Sequence, residues 1–567
     1  MAEAFGANGV SPPQEISVAQ VNHLPIVAHF ARRLGLVELV NELVPTQMEV
    51  EPGVIALGLV LDTLSGRSPL YHLQTAFGEC DRALLFGQEL PEEYFSDDHV
   101  GRMLDGFFEA GTQRIFSALS VRALESFPVS THQVHFDTTS INVFGDYLGA
   151  QEETAPFKMA HGYSKDKRPD LKQFVLSLLC VEGNVPILGK IEDGNASDKA
   201  INHRLLSEIS GHMHKYGVEA DAFVYIADSA MVTDANLAQL GERTLFISRL
   251  PATYNEHERV ILAALEADDW QTVGHIAQTA PTKNRPGASY RLHEGSVTID
   301  GKAYRAVVVH SSAHDRRRLK RLEREIEASR TEIVQVAKEA EKQTFFCRPD
   351  AEAAAAPGRT LSTAYHLLEV WVEECPRFSP GRPKKGTPRL PVAIDYVLRT
   401  RIAEQQEAIA KRQQMAGCFV LLSNVPADGD GAYSAERILR TYKEQHGIEK
   451  NFGFLKDDQI VNALFLKRPE RIEALGLILL ISLLIWRLIE RVMRTELEAR
   501  QATLPGWDNK PTVRPTAYMV TWKFKGVLLL CVGGQRQLAR PLTDTQIAFL
   551  CALQVPSSCF TQYPQDG

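Results

Sequence analysis

Three acids in this chain of 567 residues stand where they make joint chemical sense. Asp137 lies in His135-Phe136-Asp137-Thr138-Thr139-Ser140, within a β-rich run. Asp228 ends Phe223-Val224-Tyr225-Ile226-Ala227-Asp228, and Glu449 closes Tyr442-Lys443-Glu444-Gln445-His446-Gly447-Ile448-Glu449, a helical stretch. Hard carboxylate oxygens suit Mg²⁺ or Mn²⁺ rather than zinc, and Mg²⁺ takes one or two carboxylates together with substrate phosphate oxygens. Two such ions, roughly 3.5–4 Å apart, activate the attacking oxygen and stabilise the leaving one at phosphorus. A phosphodiester needs this help because the charge on its oxygens repels a bare nucleophile. Singly, each acid has an ordinary explanation: a turn or cap at a strand end, or a solvated helix face. The chemistry rests on the set.

The elements that must position these acids are legible from periodicity. Residues 133–145, 174–181, 185–191, 223–227 and 244–250 are short β-branched or aromatic runs broken by turn chemistry. A helix is expected at 197–214, with Ile201, Leu205 and Ile209 as its apolar stripe between Asp198 and Glu208. Strands alternating with helices predict an α/β sheet with parallel members. In a doubly wound or RNase H-like sheet the strands carrying Asp137 and Asp228 can be neighbours, with Glu449 on a helix against the sheet edge. Before them, residues 21–125 read as mostly helical. Ser96-Asp97-Asp98-His99 there is better read as a capped helix start with acids at its positive end than as a metal site. After them, residues 290–292, 296–299 and 304–309 make a β meander with Asp300-Gly301 as its hairpin turn. Leu319, Leu322, Ile326, Ile333, Val336 and Ala340 then predict a long charged helix, interrupted by Ser329 and pairing with another helix. Helix is expected again from Ser434 through the mid-450s and at 541–553, and residues 418–422 return to the strand pattern. Residues 474–486 are nearly all apolar, too few for a bilayer that needs roughly 20, so a buried helix is expected.

The pattern around Glu449 is Tyr442, two residues, Gln445, three residues, Glu449, six residues, Lys456. It resembles the Y-R-E-K signature of bacterial insertion-sequence transposases, which have a DDE active site and an RNase H-like fold. The segments around Asp137 (HFDTTSINVFG), at 162–173 (GYSKDKRPDLKQ), at 193–199 (DGNASDK) and at 225–231 (YIADSAM) also look like that group. The resemblance spans roughly residues 20–490. Asp228 follows Asp137 by 91 residues and Glu449 follows Asp228 by 221, a gap too long for a loop. In the family that gap holds a β-rich insertion domain. One position departs: Gln445 stands where the signature has Arg, and Gln offers a hydrogen bond to phosphate without charge.

The resemblance implies an α/β chain with an RNase H-like catalytic core, interrupted by a β-rich insertion domain and preceded by a helical domain. Its divisions are a flexible N-terminus at 1–20, a helical domain for DNA ends or dimerisation at 21–128, and the first part of the core at 129–250. The insertion follows at 251–416, the second part of the core at 417–495, and a C-terminal region suited to dimerisation at 496–567. Asp137, Asp228 and Glu449 would bind two Mg²⁺ or Mn²⁺ ions. Tyr442, Gln445 and Lys456 would hold the transposon end, Lys456 as a phosphate point charge. Lys165, Lys167, Arg168 and Lys172, around Pro169-Asp170, form either a basic finger on DNA phosphates or a solvated hairpin tip. Arg316-Arg317-Arg318 and the basic run at 382–389 allow the same two readings, and DNA contact is favoured only for the second. The expected activity is metal-dependent cleavage and strand transfer at the ends of an insertion sequence, by a homodimer acting on inverted repeats and target DNA. The alternatives are a transposase-derived DNA-binding protein that does not cut, and a stand-alone nuclease of RNase H type.

Composition bounds these expectations. Hydrophobic content of 44% and charged content of 23% exclude a disordered or fibrous chain. Eight cysteines without a C-x-x-C pair argue against a zinc ribbon or a disulfide framework and suit a reducing cytosol. The start of the chain has no apolar stretch behind a basic one, so the expectation is a bacterial cytoplasmic, nucleoid-associated protein with no membrane partner. A net charge of −8 restricts any nucleic-acid contact to focused basic surfaces.

Overall fold

The structure is a computed structural model, which describes residues 16–563 apart from 67, 69, 145–154, 220–221, 242, 277–286, 357–360, 382–387, 458–465 and 467. The chain divides into two compact units, Met1–Ser248 with Thr441–Gly567, and the intervening Arg249–Arg440.

The first unit begins with β1 (Ile16–Gln20), so the last five of the residues expected to be flexible instead pair with a strand near the C-terminus. Seven helices follow: α1 (Leu24–Arg33), α2 (Leu36–Leu43), α3 (Pro52–Ser65), α4 (Leu73–Gly78), α5 (Arg82–Phe86), α6 (Asp97–Ala110) and α7 (Thr112–Ser126). Ser96 occupies the N-cap position of α6, but its hydroxyl meets His99 Nδ1 at 2.8 Å instead of a backbone N–H.

The sheet comes next: β2 (Gln133–Val143), β3 (Lys172–Val181), β4 (Val185–Glu192), β5 (Val224–Ile226) and β6 (Leu245–Arg249), with α8 (Asp198–His214) and α9 (Asp234–Leu240) in the crossovers. These strands lie in the order β4-β3-β2-β5-β6. The first three are antiparallel, with only the β3–β4 connection tight, whereas β5 and β6 run parallel to β2. Three antiparallel strands followed by two parallel ones on the far side of the first is the RNase H-like order. The strands read as near-continuous apolar runs because both faces are covered; nine of the ten residues of β3 are buried.

The second unit contains α10 (Asn255–Ala267), β7 (Gln271–His275), β8 (Ser289–Ile299), β9 (Lys302–Ser311), α11 (Ser312–Glu341), β10 (Thr344–Phe345), α12 (Arg348–Ala355), β11 (Leu361–Ser362), β12 (His366–Arg377), β13 (Ala393–Glu404), α13 (Gln406–Met415) and β14 (Cys418–Ser423). Two expected strands, 290–292 and 296–299, are one, because Glu294 pairs with Arg305 across the hairpin at 2.7 Å and Gly295 stays in register with Ala306. Asp300 and Gly301 take φ of +46° and +74°, as a two-residue hairpin turn requires. The long helix packs mainly on a sheet rather than on another helix. Its buried Ile333 and Ala337 pack on Leu368, Val370 and Leu398 of the β12–β13 hairpin. Ser329, which interrupts the stripe, bonds His366 Nδ1 at 2.9 Å and Thr363 Oγ1 at 2.7 Å. That hairpin has no counterpart in the sequence reading, since Glu369, Glu373, Arg399 and Arg401 obscure its alternation.

The boundary between the units falls within α14 (Ala435–Glu444), and the first unit resumes with α15 (His446–Leu455) and α16 (Pro469–Ala499). The single helix expected through the mid-450s is thus two, meeting at Gln445. Helix α16 is the one helix among the described residues long and apolar enough to cross a membrane. Of its most apolar window 89% is buried in protein, so it serves as a core helix. It crosses β4 closely enough that a Cβ at Gly189 would lie 2.5 Å from Leu480. The chain ends with α17 (Ala517–Lys523), the strand Leu528–Val532 that receives β1, and α18 (Asp544–Leu553).

Candidate functional site

Parallel pairing sets the two aspartates side by side. His135 is in register with Ile226, and both chains continue two residues to Asp137 and Asp228. Neighbouring strands lie about 4.8 Å apart, so these carboxylates leave one face of the sheet at the same level. The pairing is braced below by Phe136 and Tyr225, whose rings stack with centroids 6.3 Å apart, and by the Tyr225 hydroxyl donating to Asn202 of α8 at 3.0 Å. Asp228 Oδ1 accepts from Ala230 N at 3.0 Å, capping the turn after β5, and Ser248 Oγ donates to the Asp228 carbonyl at 2.8 Å.

A third aspartate joins them. Asp198, the first residue of α8, accepts a 2.6 Å hydrogen bond from Thr138 Oγ1. Burial pushes the Asp137 carboxyl up to about 6, with repulsion from Asp228 and Asp198 adding to the rise and Lys165 and the Thr138 N–H opposing it. Asp228 is raised too, first by burial and then by the charge of Asp198. Like charges crowded in a half-buried site thus raise one another's carboxyls, and any cation placed among them lowers that repulsion.

The cation present is Lys165. Its ammonium donates to the Thr138 carbonyl at 2.6 Å and to Thr138 Oγ1 at 2.8 Å, and lies 3.4 Å from Asp198 and 3.7 Å from Asp137. The loop carrying it is fastened along β2: Lys165 N donates to Ser140 Oγ at 2.9 Å, and Ser164 Oγ to Asn142 Oδ1 at 3.2 Å. At the base of the loop, Gln173 Nε2 donates to the Gly194 carbonyl at 2.8 Å, and a Cβ at Gly162 would collide with that same carbonyl. The GYSKDKRPDLKQ and DGNASDK segments therefore interlock.

The sequence-predicted residues divide. Asp137 and Asp228 come together as expected. Glu449 does not join them: it sits on the exposed side of α15, where its carboxylate meets His446 Nδ1 at 2.5 Å. Its helix is nonetheless docked beside Asp137, because Gln445 Nε2 donates to the Phe136 carbonyl at 3.3 Å and Asn451 Nδ2 to the Asn184 carbonyl at 2.9 Å. Gln445 is 9% exposed and braces the strand through that bond. Lys456, at the end of α15, pairs with both oxygens of Asp166 at 2.8 Å and so ties the helix to the basic loop. Tyr442 is half-buried on α14. On the loop, Lys167 is exposed with φ of +59°, Arg168 pairs with Asp170 at 2.7 Å, and Lys172 opens β3. Tyr163 is 90% exposed beside them. Of the basic run at 382–389 only Pro388 and Arg389 are among the described residues, and Arg389 donates to the Ser379 carbonyl at 2.8 Å. Arg316, Arg317 and Arg318 lie exposed at the start of α11 in the second unit.

Sequence reasoning treated Asp198 as a helix-flanking acid and Lys165 as a DNA contact. The available signal was the position of Asp198, in the first turn of the helix directly after a core strand. An all-oxygen donor set of carboxylates and a carbonyl fits Mg²⁺ or Mn²⁺ by chemistry. Among the described residues no three acidic, histidine or cysteine groups are gathered as a ready metal cage.

Fold and site together define an α/β protein of RNase H-like order with neighbouring aspartates, one within β2 and one just past the end of β5. Residues 16–121, β1 and most of the helical region, match a family described as a domain of unknown function, DUF4277. No curated protein matches the chain.

Proposed function

We propose that this protein is a DNA transposase that cuts and joins the ends of an insertion sequence using divalent cations. The observation that carries the reading is the parallel pairing of β2 with β5, in which His135 is in register with Ile226 and each chain runs two residues on to Asp137 and Asp228. The spacing of Tyr442, Glu449 and Lys456 and the basic loop beside the aspartates support it. Asp137, Asp228 and, after turning from His446, Glu449 would hold Mg²⁺ or Mn²⁺. When bound, these ions supply charge neutralisation at the phosphodiester and a more acidic attacking water. The chain itself orients the reactants. Asp137 and Asp228 would hold the ions that neutralise the scissile phosphate, while Lys167, Arg168 and Lys172 would engage backbone phosphates alongside it. The exposed 3′-OH of the first cut would attack a second phosphodiester, in the opposite strand or in the target, forming a new P–O bond as the 3′-oxygen of the attacked strand leaves as its hydroxyl. Paired cutting of two ends calls for a homodimer.

The test is cleavage of a duplex bearing the element's end. Cutting should require Mg²⁺ or Mn²⁺, and Asp137→Asn should abolish it while leaving end binding within a few-fold, because phosphate contacts elsewhere supply affinity. Full activity in excess EDTA, or normal cutting by Asp137→Asn, would refute the reading. The outward position of Glu449 favours a second reading, a transposase-derived DNA-binding protein that does not cut. End binding without any cleavage in either metal would select it.

A further inference from the structure

The ammonium of Lys165 uses its donors inside the protein. Two go to Thr138, at the carbonyl and the hydroxyl, and the third side faces Asp198 and Asp137 at 3.4 and 3.7 Å. An ammonium so placed has no donor left for DNA, although the loop that carries it is basic and otherwise turned to solvent. It sits among two carboxylates, a carbonyl and a hydroxyl, the oxygen-rich surroundings that a hard cation takes. Thr138 connects the parts, accepting from Lys165 and donating to Asp198 at 2.6 Å. The side chain is 31% exposed, so leaving the position needs a rotation and no unfolding.

We propose that Lys165 is a positioning residue that serves as the resident counter-ion of the Asp137–Asp198–Asp228 cluster and exchanges with the incoming divalent cation. This rests on the transposase reading for its cation, but it concerns the protein before DNA arrives. While Lys165 is in place it offsets carboxylates that would otherwise repel one another and holds the loop along β2. Lys456 clasps the neighbouring Asp166 at 2.8 Å, so the same loop is tied to α15, the helix of Glu449. Cation entry frees the Lys165 ammonium for a DNA phosphate. Metal loading and engagement of the end are thereby coupled through one side chain. Asp198, which faces the ammonium and takes the Thr138 hydrogen bond, acts through Lys165.

Two measurements on the DNA-free full chain test this. The first is Mn²⁺ binding, read by electron paramagnetic resonance, for the wild type and Lys165→Met. Removing a competing charge about 4 Å from the carboxylates should tighten Mn²⁺ binding roughly tenfold. The second uses the wild type alone, so it does not depend on the variant folding. Reductive methylation read by mass spectrometry should modify Lys165 several-fold faster with saturating Mg²⁺, while exposed Lys167 keeps its rate. If wild type binds Mn²⁺ but Lys165→Met binds it no tighter and methylation of Lys165 ignores Mg²⁺, the exchange is refuted and the transposase reading stands. If neither protein binds Mn²⁺, the cation reading falls and the exchange with it.

Discussion

Replacing Glu490 with leucine should strand two arginines in the interior of the first unit. Glu490 is 3% exposed, on α16. Its Oε2 accepts from Arg487 Nη1 at 2.6 Å and lies 3.1 Å from Arg494, and its Oε1 accepts from Ala517 N at 3.2 Å. Arg487, 6% exposed, donates in turn to Asn451 Oδ1 at 2.5 Å, and Asn451 reaches the turn between β3 and β4. The chain of bonds thus runs from α17 through α16 and α15 to the sheet. Breaking a buried ion pair by deleting one partner typically costs about 3–5 kcal/mol, because the surviving charge remains desolvated. Arg494 is 30% exposed and can hydrate, so its share is discounted and the expected loss is near the lower end, about 3 kcal/mol. Removing both charges of the pair, as Arg487→Met with Glu490→Leu, should recover at least half of that loss. Urea unfolding of both single variants and the double closes a thermodynamic cycle. Hydrogen exchange of α15 and α16 then locates the effect. A Glu490→Leu protein within about 1 kcal/mol of wild type, or a double variant weaker than the single, would refute the reasoning.

Other outcomes are equally open to measurement. With Asp137 raised to about 6, proton and cation compete for one carboxylate, so Mn²⁺ affinity should fall about tenfold per pH unit below 6 and level off above it. A titration flat from pH 7.5 to 5 would show that Asp137 is not a ligand. In the metal-free protein the same shift favours folding below the ordinary carboxylate range and loses that contribution as pH rises through about 6, which urea titrations across pH 4–7 would register. Gln445→Arg puts a larger, charged side chain into a buried position under Phe136. It should cost about 1–3 kcal/mol and leave the salt dependence of end binding unchanged; a log-log salt slope steeper by about one would mean that position 445 reaches phosphate after all. Gly189→Val drives a branched side chain into Leu480 where α16 crosses β4 and should destabilise by a similar amount, read by thermal melting.

Much of this was legible along the chain because it depends on neighbours in sequence. Strands β2 to β6, helix α8 and the apolar centre of α16 all follow from periods of 2 and 3.6, and the observed strand bounds differ from expectation by one or two residues at most strand ends. The approach of Asp137 to Asp228 was also accessible, since one lies within and the other ends a core strand of a sheet with parallel members. The β12–β13 hairpin was not, because its surface alternates charges and only one face meets α11. The signature around Glu449 specified residue types and spacing, but not where each side chain turns. Tertiary packing alone decided that Gln445 points inward to Phe136, that Glu449 meets His446 at the surface, and that Lys456 clasps Asp166. It also decided that Lys165 and Asp198, 33 residues apart, meet at Thr138. Local propensity sets which face of an element is apolar. The partner of a polar group is chosen by desolvation and charge among residues far apart in sequence, and those distances exist only once the sheet has formed.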